Sequence, residues 1–382
     1  MKRIILMGAS GSIGKQTIDI IKQHSDELEL VGVTVGKNVD YLVSLLNEFK
    51  SIKYAYTINQ YEELTYRFPN VRFYYGYDGL VQMAKLNDYD MLENALVGFA
   101  GFKPTLVAIK NHKDIALANK ETLVAGGKLI YEAIEENKVN LYPIDSEHVA
   151  IWQCIQGHHP KDIKRLIITG SGGAFRDLSR DQLSSVTLEQ ALNHPVWNMG
   201  AKITIDSATM MNKGFEVIEA HHLFNIPYEK IDVILHSQSI VHSMVEYNDG
   251  SIMAQLGCPD MRLMIKYALL YPRHKADMTT TYLDIENISS LNFKKMDYSR
   301  YPLVKLAKQI GSYDGNFGAI LIGANDAVVQ LFLDKRIRFI DIEKYIFATL
   351  KAAHFIANPD ADMIIESNRW ASEYVKSMWA NS

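Results

Sequence analysis

The segment Gly8-Ala9-Ser10-Gly11-Ser12-Ile13-Gly14 constrains the fold of this chain most, because it joins a short apolar run, Ile4–Met7, to a helical stretch, Gly14–Gln23. An apolar strand that turns through glycines into a helix opens a βαβ unit, so a parallel strand is expected next. Candidates follow at Leu28–Val35, Ala55–Ile58, Val71–Tyr74, Asn94–Val97, Asp114–Leu117 and Asn140–Ile144, with Tyr41–Phe49 as an intervening helix. Strands alternating with helices predict an open, mainly parallel α/β sheet. Glycines let the main chain approach a pyrophosphate, and a helix N-terminus offers free N–H groups and a partial positive charge. The spacing is G-x-x-G-x-x-G, so a tight strand-to-helix turn without a ligand is the competing reading.

The second strand ends at Val35-Gly36-Lys37-Asn38. A dinucleotide site for NAD places a carboxylate there to accept from the ribose 2′-hydroxyl, whereas a cation suits a 2′-phosphate. Lys37 therefore favours NADP(H), against a plain solvated lysine. Asn119, Lys120 and Glu121 follow another candidate strand, which sets them on the carboxyl edge of the sheet, where open α/β folds bind ligands.

At 382 residues the chain calls for two or three domains. Residues 1–144 are expected to form a Rossmann-like dinucleotide domain, and 145–272 a central α+β domain. Arg165–Thr169 and Ile231–His236 read as strands, and Ile240–Tyr247 and Ser251–Leu256 as a hairpin about Asn248-Asp249-Gly250. Exposed hairpin strands often pair across a two-fold axis, so a homodimer is expected. Residues 273–298 read as a linker with an edge strand near Leu291–Phe293, and 299–382 as a helical bundle in which Asp341 would cap a helix. A net charge of −4 gives no case for nucleic acid. No stretch approaches the ~20 apolar residues that span a bilayer. Two cysteines, Cys154 and Cys258, fit a reducing cytoplasm.

The residues that carry chemistry cluster after Ile144. Asp145 and Glu147 flank Ser146, and in extended backbone residues two apart share a side. If Asn212–Ala220 is helical, Glu216 shares a face with Asn212 and Lys213. Three oxygen ligands without cysteine suit Mg²⁺ or Mn²⁺, while an exposed acidic pair and a surface glutamate are the bland alternative. Gly170-Ser171-Gly172-Gly173 can present N–H groups to an anion, with Ser207, Asn212 and Lys213 as further phosphate donors. The loop 193–200, punctuated by Pro195 and Gly200, carries His194, Trp197 and Met199 and reads as a lid or as a surface loop.

The stretches GASGSIG (8–14), GKN (36–38), LANKE (117–121), IDSEH (144–148), TGSGGAFR (169–176), HPVWNMG (194–200), DSATMMNKGFEVIEA (206–220), QSIVHSMVEY (238–247) and PDMR (259–262) closely resemble the 1-deoxy-D-xylulose 5-phosphate reductoisomerase family. Ala174 and Ser237 stand where that family usually has proline. The resemblance implies conversion of 1-deoxy-D-xylulose 5-phosphate to 2-C-methyl-D-erythritol 4-phosphate with NADPH and a divalent cation. It implies that Asp145, Glu147 and Glu216 hold Mg²⁺ or Mn²⁺ beside the substrate, and that Ser171, Ser207, Asn212, Lys213 and His194 grip its phosphate. Ser146 and Lys120 would contact substrate hydroxyls, and Lys120, Glu147, His194 and Trp197 would be the catalytic set, with Trp197 closing over the substrate. Ser10, Gly11, Ser12, Ile13, Gly36, Lys37, Asn38, Asn119, Glu121, Met199 and Gly200 would contact NADPH. The family is homodimeric and carries a C-terminal helical domain.

Two other readings are open from sequence. A semialdehyde dehydrogenase shares the glycine turn but needs a thiolate beside a base, for which Cys154 and Cys258 are poorly placed. A non-catalytic NADPH sensor would bind cofactor without turnover and gives no reason for three acidic residues.

Overall fold

The computed structural model of the chain describes residues 1–381. The strands are β1 (Lys2–Met7), β2 (Leu28–Thr34), β3 (Tyr54–Thr57), β4 (Arg72–Tyr75), β5 (Met91–Asn94), β6 (Asp114–Leu117), β7 (Leu141–Pro143), β8 (Ile163–Gly170), β9 (Ile231–Leu235), β10 (Val241–Tyr247), β11 (Ile252–Leu256) and β12 (Lys294–Lys295). The helices are α1 (Ser12–Gln23), α2 (Val39–Glu48), α3 (Glu62–Arg67), α4 (Gly76–Ala84), α5 (Phe102–Lys110), α6 (Lys120–Asn137), α7 (Ser146–Cys154), α8 (Leu188–Ala191), α9 (Ala201–Thr209), α10 (Met211–Phe224), α11 (Met261–Leu270), α12 (Pro302–Gly311), α13 (Phe317–Leu333), α14 (Asp341–Ala352) and α15 (Ala361–Ala380). The chain packs into two compact units. One comprises Met1–Thr122, Ile130–Asp145 and Asp260–Thr280, and the other Leu123–Leu129, Ser146–Pro259 and Thr281–Ser382.

The first unit is built on a seven-stranded sheet in the order β4-β3-β2-β1-β5-β6-β7, parallel throughout. β2 and β5 flank β1 on opposite sides, so the strand order reverses at β1, and the turn after β1 opens at the switch point. Ile4, Leu6, Leu30 and Val33 from the strands and Ile18 and Ile21 from α1 fill the core between sheet and helix. α11 lies against α1 and contributes Ile265, Ala268 and Leu269 to the same core. One expected strand, Asn94–Val97, is displaced: β5 is Met91–Asn94, and the chain leaves the sheet where the strand was expected to begin. The reason is polar burial, since Glu93 lies inside the strand and interrupts its apolar pattern.

The second unit carries a five-stranded mixed sheet, β11-β10-β8-β9-β12. β8 and β9 run parallel, and β10 is antiparallel to both β8 and β11. The β10–β11 connection turns through Gly250 at φ 89°, a conformation glycine adopts without cost. The edge strand expected at Leu291–Phe293 is instead the short β12, Lys294–Lys295, paired with β9. Helices α12 to α15 belong to this unit, with α13 packed against α14 and α15. Asp341 is the first residue of α14 and not its cap, which is Ile340. No helix among the described residues is long and apolar enough to cross a membrane.

Candidate functional site

In the first unit the glycine turn is a steric necessity. Gly8 has φ 92°, and a Cβ there would lie 2.4 Å from the Ala95 carbonyl oxygen. A Cβ on Gly14 would lie 2.3 Å from the Gly8 oxygen, so α1 reaches the turn only because that position is bare. The first turn of α1 has no capping side chain and no acidic residue, and Gly11 and Ser12 are exposed. Its free N–H groups and partial positive charge are left for an external anion. Ser10 and Ile13 are half-buried beside them. At the end of β2, Gly36 is half-buried and Lys37 exposed, while the Asn38 side chain is committed to capping α2 by accepting from the Tyr41 N–H at 3.2 Å.

Asn119 is buried at the cap of α6, and its side chain is fully spent. Its Nδ2 donates to the carbonyls of Leu96 and Gly98 at 2.9 and 2.8 Å, and its Oδ1 accepts from the Thr122 N–H at 3.1 Å. A Glu121 oxygen lies 3.0 Å from the same Nδ2. Any ligand contact by Asn119 thus falls to its main chain. Beside it, Lys120 pairs with Asp145 at 2.6 Å, both side chains largely buried.

In the second unit Glu147 and Glu216 sit on two helices, α7 and α10. Asp145-Ser146-Glu147 is not the extended segment expected from sequence: Ser146 opens α7, and Glu147 lies in its first turn. Ser146 Oγ donates to Glu147 Oε2 at 2.5 Å. α10 starts at Met211, after Met210 turns the chain through a left-handed conformation at φ 61°. This break presents Asn212, Lys213 and Glu216 from the first turns of the helix. Lys213 Nζ donates to Glu147 Oε1 at 2.6 Å and to Glu216 Oε2, and Asn212 Nδ2 donates to Glu216 Oε1 at 2.5 Å. Carboxylate oxygens of Glu147 and Glu216 lie within 4.8 Å of one another. Burial pushes the Lys213 ammonium toward losing its proton, but Glu147 and then Glu216 outweigh it and hold the pKa above the ordinary lysine value. The side chain therefore stays charged.

The glycine loop after β8 packs on this cluster. A Cβ on Gly170 would lie 3.1 Å from Lys213 Cε, and one on Gly173 would lie 2.4 Å from the Ser207 carbonyl oxygen. Ser171, Ser207 and Lys213 are thereby drawn into one neighbourhood. His194 joins them, with Nε2 3.0 Å from Ser171 Oγ. Its Nδ1 accepts from the N–H groups of Val196 and Trp197 at 3.2 and 2.9 Å. A ring nitrogen that accepts twice carries no proton, so the proton sits on Nε2 and points at Ser171. Burial, and then Arg176, push the His194 pKa down to about 4. Trp197 tilts beside the His242 ring, centroids 6.2 Å apart, and Met199 is half-buried ahead of Gly200, the cap of α9.

One residue of weight went unassigned from sequence. His148 is fully buried, with Nε2 3.0 Å from the Glu216 carbonyl oxygen and Nδ1 3.3 Å from Glu219, so it ties α7 to α10 behind the two carboxylates. The signal was its place directly after Glu147 in the IDSEH stretch. Cys154 is buried and its thiol is pushed up to about 11 by burial, the opposite of what a nucleophilic thiolate needs.

Family models cover most of the chain. Residues 4–127 match 1-deoxy-D-xylulose 5-phosphate reductoisomerase, and residues 141–224 and 256–374 match two C-terminal domains of that enzyme. The Exiguobacterium sibiricum 1-deoxy-D-xylulose 5-phosphate reductoisomerase is 47% identical over 382 residues, covering 99% of each chain. A Bacillus anthracis protein named 1-deoxy-D-xylulose 5-phosphate reductoisomerase 2 is 47% identical over 379 residues, 98% of this chain and 99% of that protein. Among solved structures, the Zymomonas mobilis reductoisomerase in complex with NADPH superposes with a TM-score of 0.91 at 38% identity, covering 99% of each chain. A reductoisomerase in complex with NADPH, fosmidomycin and magnesium gives 0.93 at 35% identity, covering 100% of this chain and 98% of the other.

Proposed function

The chain belongs to the 1-deoxy-D-xylulose 5-phosphate reductoisomerase family, and on that premise we propose how its own residues divide the work of the reaction. The enzyme converts 1-deoxy-D-xylulose 5-phosphate to 2-C-methyl-D-erythritol 4-phosphate, a step toward isoprenoid precursors, and depends on NADPH and a divalent cation. When bound, the cation supplies Lewis-acid polarisation of substrate oxygens and the dinucleotide supplies hydride.

Ser10, Gly11, Ser12 and Ile13 offer the open N-terminus of α1 to the diphosphate of NADPH. Gly36 gives that strand end no side chain, and the exposed Lys37 ammonium meets the 2′-phosphate, with Asn38 holding the turn that presents it. Asn119 and Glu121 border the cofactor from the start of α6, and Met199 and Gly200 from the end of the loop. Asp145, Glu147 and Glu216 hold Mg²⁺ or Mn²⁺. The fit rests on donor chemistry: oxygen ligands only, Glu147 and Glu216 close together, and Asp145 two residues along the chain from Glu147. Ser171, His194, Ser207, Asn212 and Lys213 bind the substrate phosphate. His194 donates from Nε2, and Lys213 acts as a point charge. Ser146 and Lys120 orient the substrate hydroxyls, and Trp197 closes the loop against water.

The observation that carries this assignment is the buried Glu147–Lys213–Glu216 cluster, which sets a phosphate-binding ammonium against two carboxylates fit for a cation. NADPH oxidation should require both the sugar phosphate and Mg²⁺ or Mn²⁺. Full activity in excess EDTA would contradict the metal assignment. We also propose that the enzyme works as a homodimer in the cytoplasm. The uncovered edge of β11 supports the first, and two free thiols, Cys154 and Cys258, support the second.

A further inference from the structure

Glu93 is a buried carboxylic acid with a single side-chain hydrogen bond among the described residues. It is fully buried at the centre of the sheet, paired in register with Leu6 of β1 on one side and Ala116 of β6 on the other. Its neighbour Asn94 faces the opposite side and bonds the Gly101 carbonyl and Thr105. Glu93 therefore points at α1, where its Oε1 lies 2.5 Å from Thr17 Oγ1. Its Oε2 has no hydrogen-bond partner among the described residues. Thr17 Oγ1 is also 3.2 Å from the carbonyl of Ile13, an acceptor only. A hydroxyl has one proton, so if Thr17 donates to Ile13 the proton in its bond to Glu93 must come from the acid.

The charged groups around this point are engaged elsewhere. On α1, Asp19 meets Arg262 of α11, Lys22 meets Glu48, and Lys15 lies over the Tyr41 ring. On β1, Lys2 donates to the Leu269 carbonyl and Arg3 pairs with Asp90. Asp114 of β6 accepts from Asn140, and Lys266 of α11 pairs with Asp277. None is left to compensate an anion at Glu93, and burial pushes its pKa up to about 8.

We propose that Glu93 is a positioning residue for the nucleotide turn: as a neutral acid it clamps α1 through Thr17 and Ile13, and its ionisation weakens NADPH binding. The inference rests on the reading that the start of α1 receives the diphosphate. Thr17 lies five residues beyond Ser12, roughly 7.5 Å along the helix. A buried negative charge at that range opposes a bound diphosphate by about tenfold in affinity.

NADPH binding measured by nucleotide fluorescence, without turnover, tests the proposal. Binding by the wild type at about pH 7 tests the underlying reading, and its absence would sink that reading alone. The wild type should lose about tenfold in affinity between about pH 7 and pH 9.5, with kcat at saturating NADPH changing far less. Glu93→Gln can still donate to Thr17 and should match the wild type at neutral pH but show a flat profile. Parallel profiles for the two would overturn the proposal. Should Glu93→Gln fail to fold, Thr17→Val removes the hydroxyl that shares a proton with the acid and should displace the inflection. An unmoved inflection in that variant would equally overturn it.

Discussion

The buried lysine at 213 sets the chemistry of its surroundings because two carboxylates depend on it. Removing it as Lys213→Met leaves Glu147 and Glu216 facing each other, and breaking such a buried set costs about 3–5 kcal/mol. In EDTA the variant should melt well below the wild type, and Mg²⁺ or Mn²⁺ should recover more of the Tm in the variant than in the wild type. Its KM for the sugar phosphate should rise by roughly tenfold to a hundredfold, the worth of a charged hydrogen bond, with NADPH affinity retained. Unaltered melting and KM would remove Lys213 from the site. His194 gives a pH test. Its folded pKa lies near about 4 against an ordinary 6.5, so the ordered loop binds fewer protons than the disordered one between those values. Loop stability is therefore fully present above the ordinary histidine value and is lost as pH falls toward about 4. The protection factors of the Val196 and Trp197 amides, measured against their intrinsic exchange rates at each pH, should fall in that window. Asn at position 194 keeps an acceptor in the place of Nδ1 but does not titrate, so His194→Asn should abolish the acid dependence, whereas a dependence left intact would exclude this histidine as its source.

At the scale of elements, the sequence was readable where burial and chemistry agreed. The run of β1, the glycine turn and α1 appeared as expected, because apolar periodicity and turn residues point the same way. It misled where polar groups are buried or caps are hidden. β5 lies three residues before the expected Asn94–Val97, since a glutamate buried inside a strand, Glu93, breaks the apolar pattern by which strands are found. The start of α7 read as extended although an Asp-Ser-Glu triplet at the end of a strand is also a helix-opening signal. The identities of Glu147, Lys213 and Glu216 were legible, but their mutual distances required the left-handed turn at Met210, which no residue type announces. Two glycines separate steric need from ligand need. Gly14→Ala forces a Cβ against the Gly8 oxygen, so α1 must shift, with an overpacking cost of about 1–3 kcal/mol. We expect a lowered Tm and NADPH affinity reduced about tenfold or more, by the same free energy. A Cβ on Gly36 would meet only Ile58 Cδ1 at 3.7 Å, an ordinary contact. Gly36→Ala should therefore fold with an unchanged Tm, and any loss of NADPH affinity in it reports close approach of the cofactor to that backbone. Both variants behaving alike in melting would contradict the packing argument.

For the whole molecule the unresolved demand is the edge of the second sheet. β11 is an end strand, its Ile-Met-Ala-Gln-Leu sequence carries no charge and no proline, and Ile252 and Met253 are 52% and 43% exposed. Natural edge strands are usually blunted by lysine, proline, a strong bulge or a covering element, because an unpaired apolar edge recruits further strands. A second copy related by a two-fold axis covers such an edge with itself and closes the assembly, where a heterologous contact would polymerise. The proposed homodimer thus follows from what β11 lacks, and it makes oligomeric state sensitive to a single charge. In Met253→Glu the two copies bring like charges to a shared, desolvated edge, which costs several kcal/mol across an interface. Sedimentation velocity at micromolar concentration should show a dimer for the wild type and a monomer for the variant, with far-ultraviolet circular dichroism unchanged, since β11 still pairs with β10 along its other side. A wild type that sediments as a monomer, or a variant that stays dimeric, would mean that something other than a second β11 protects this edge.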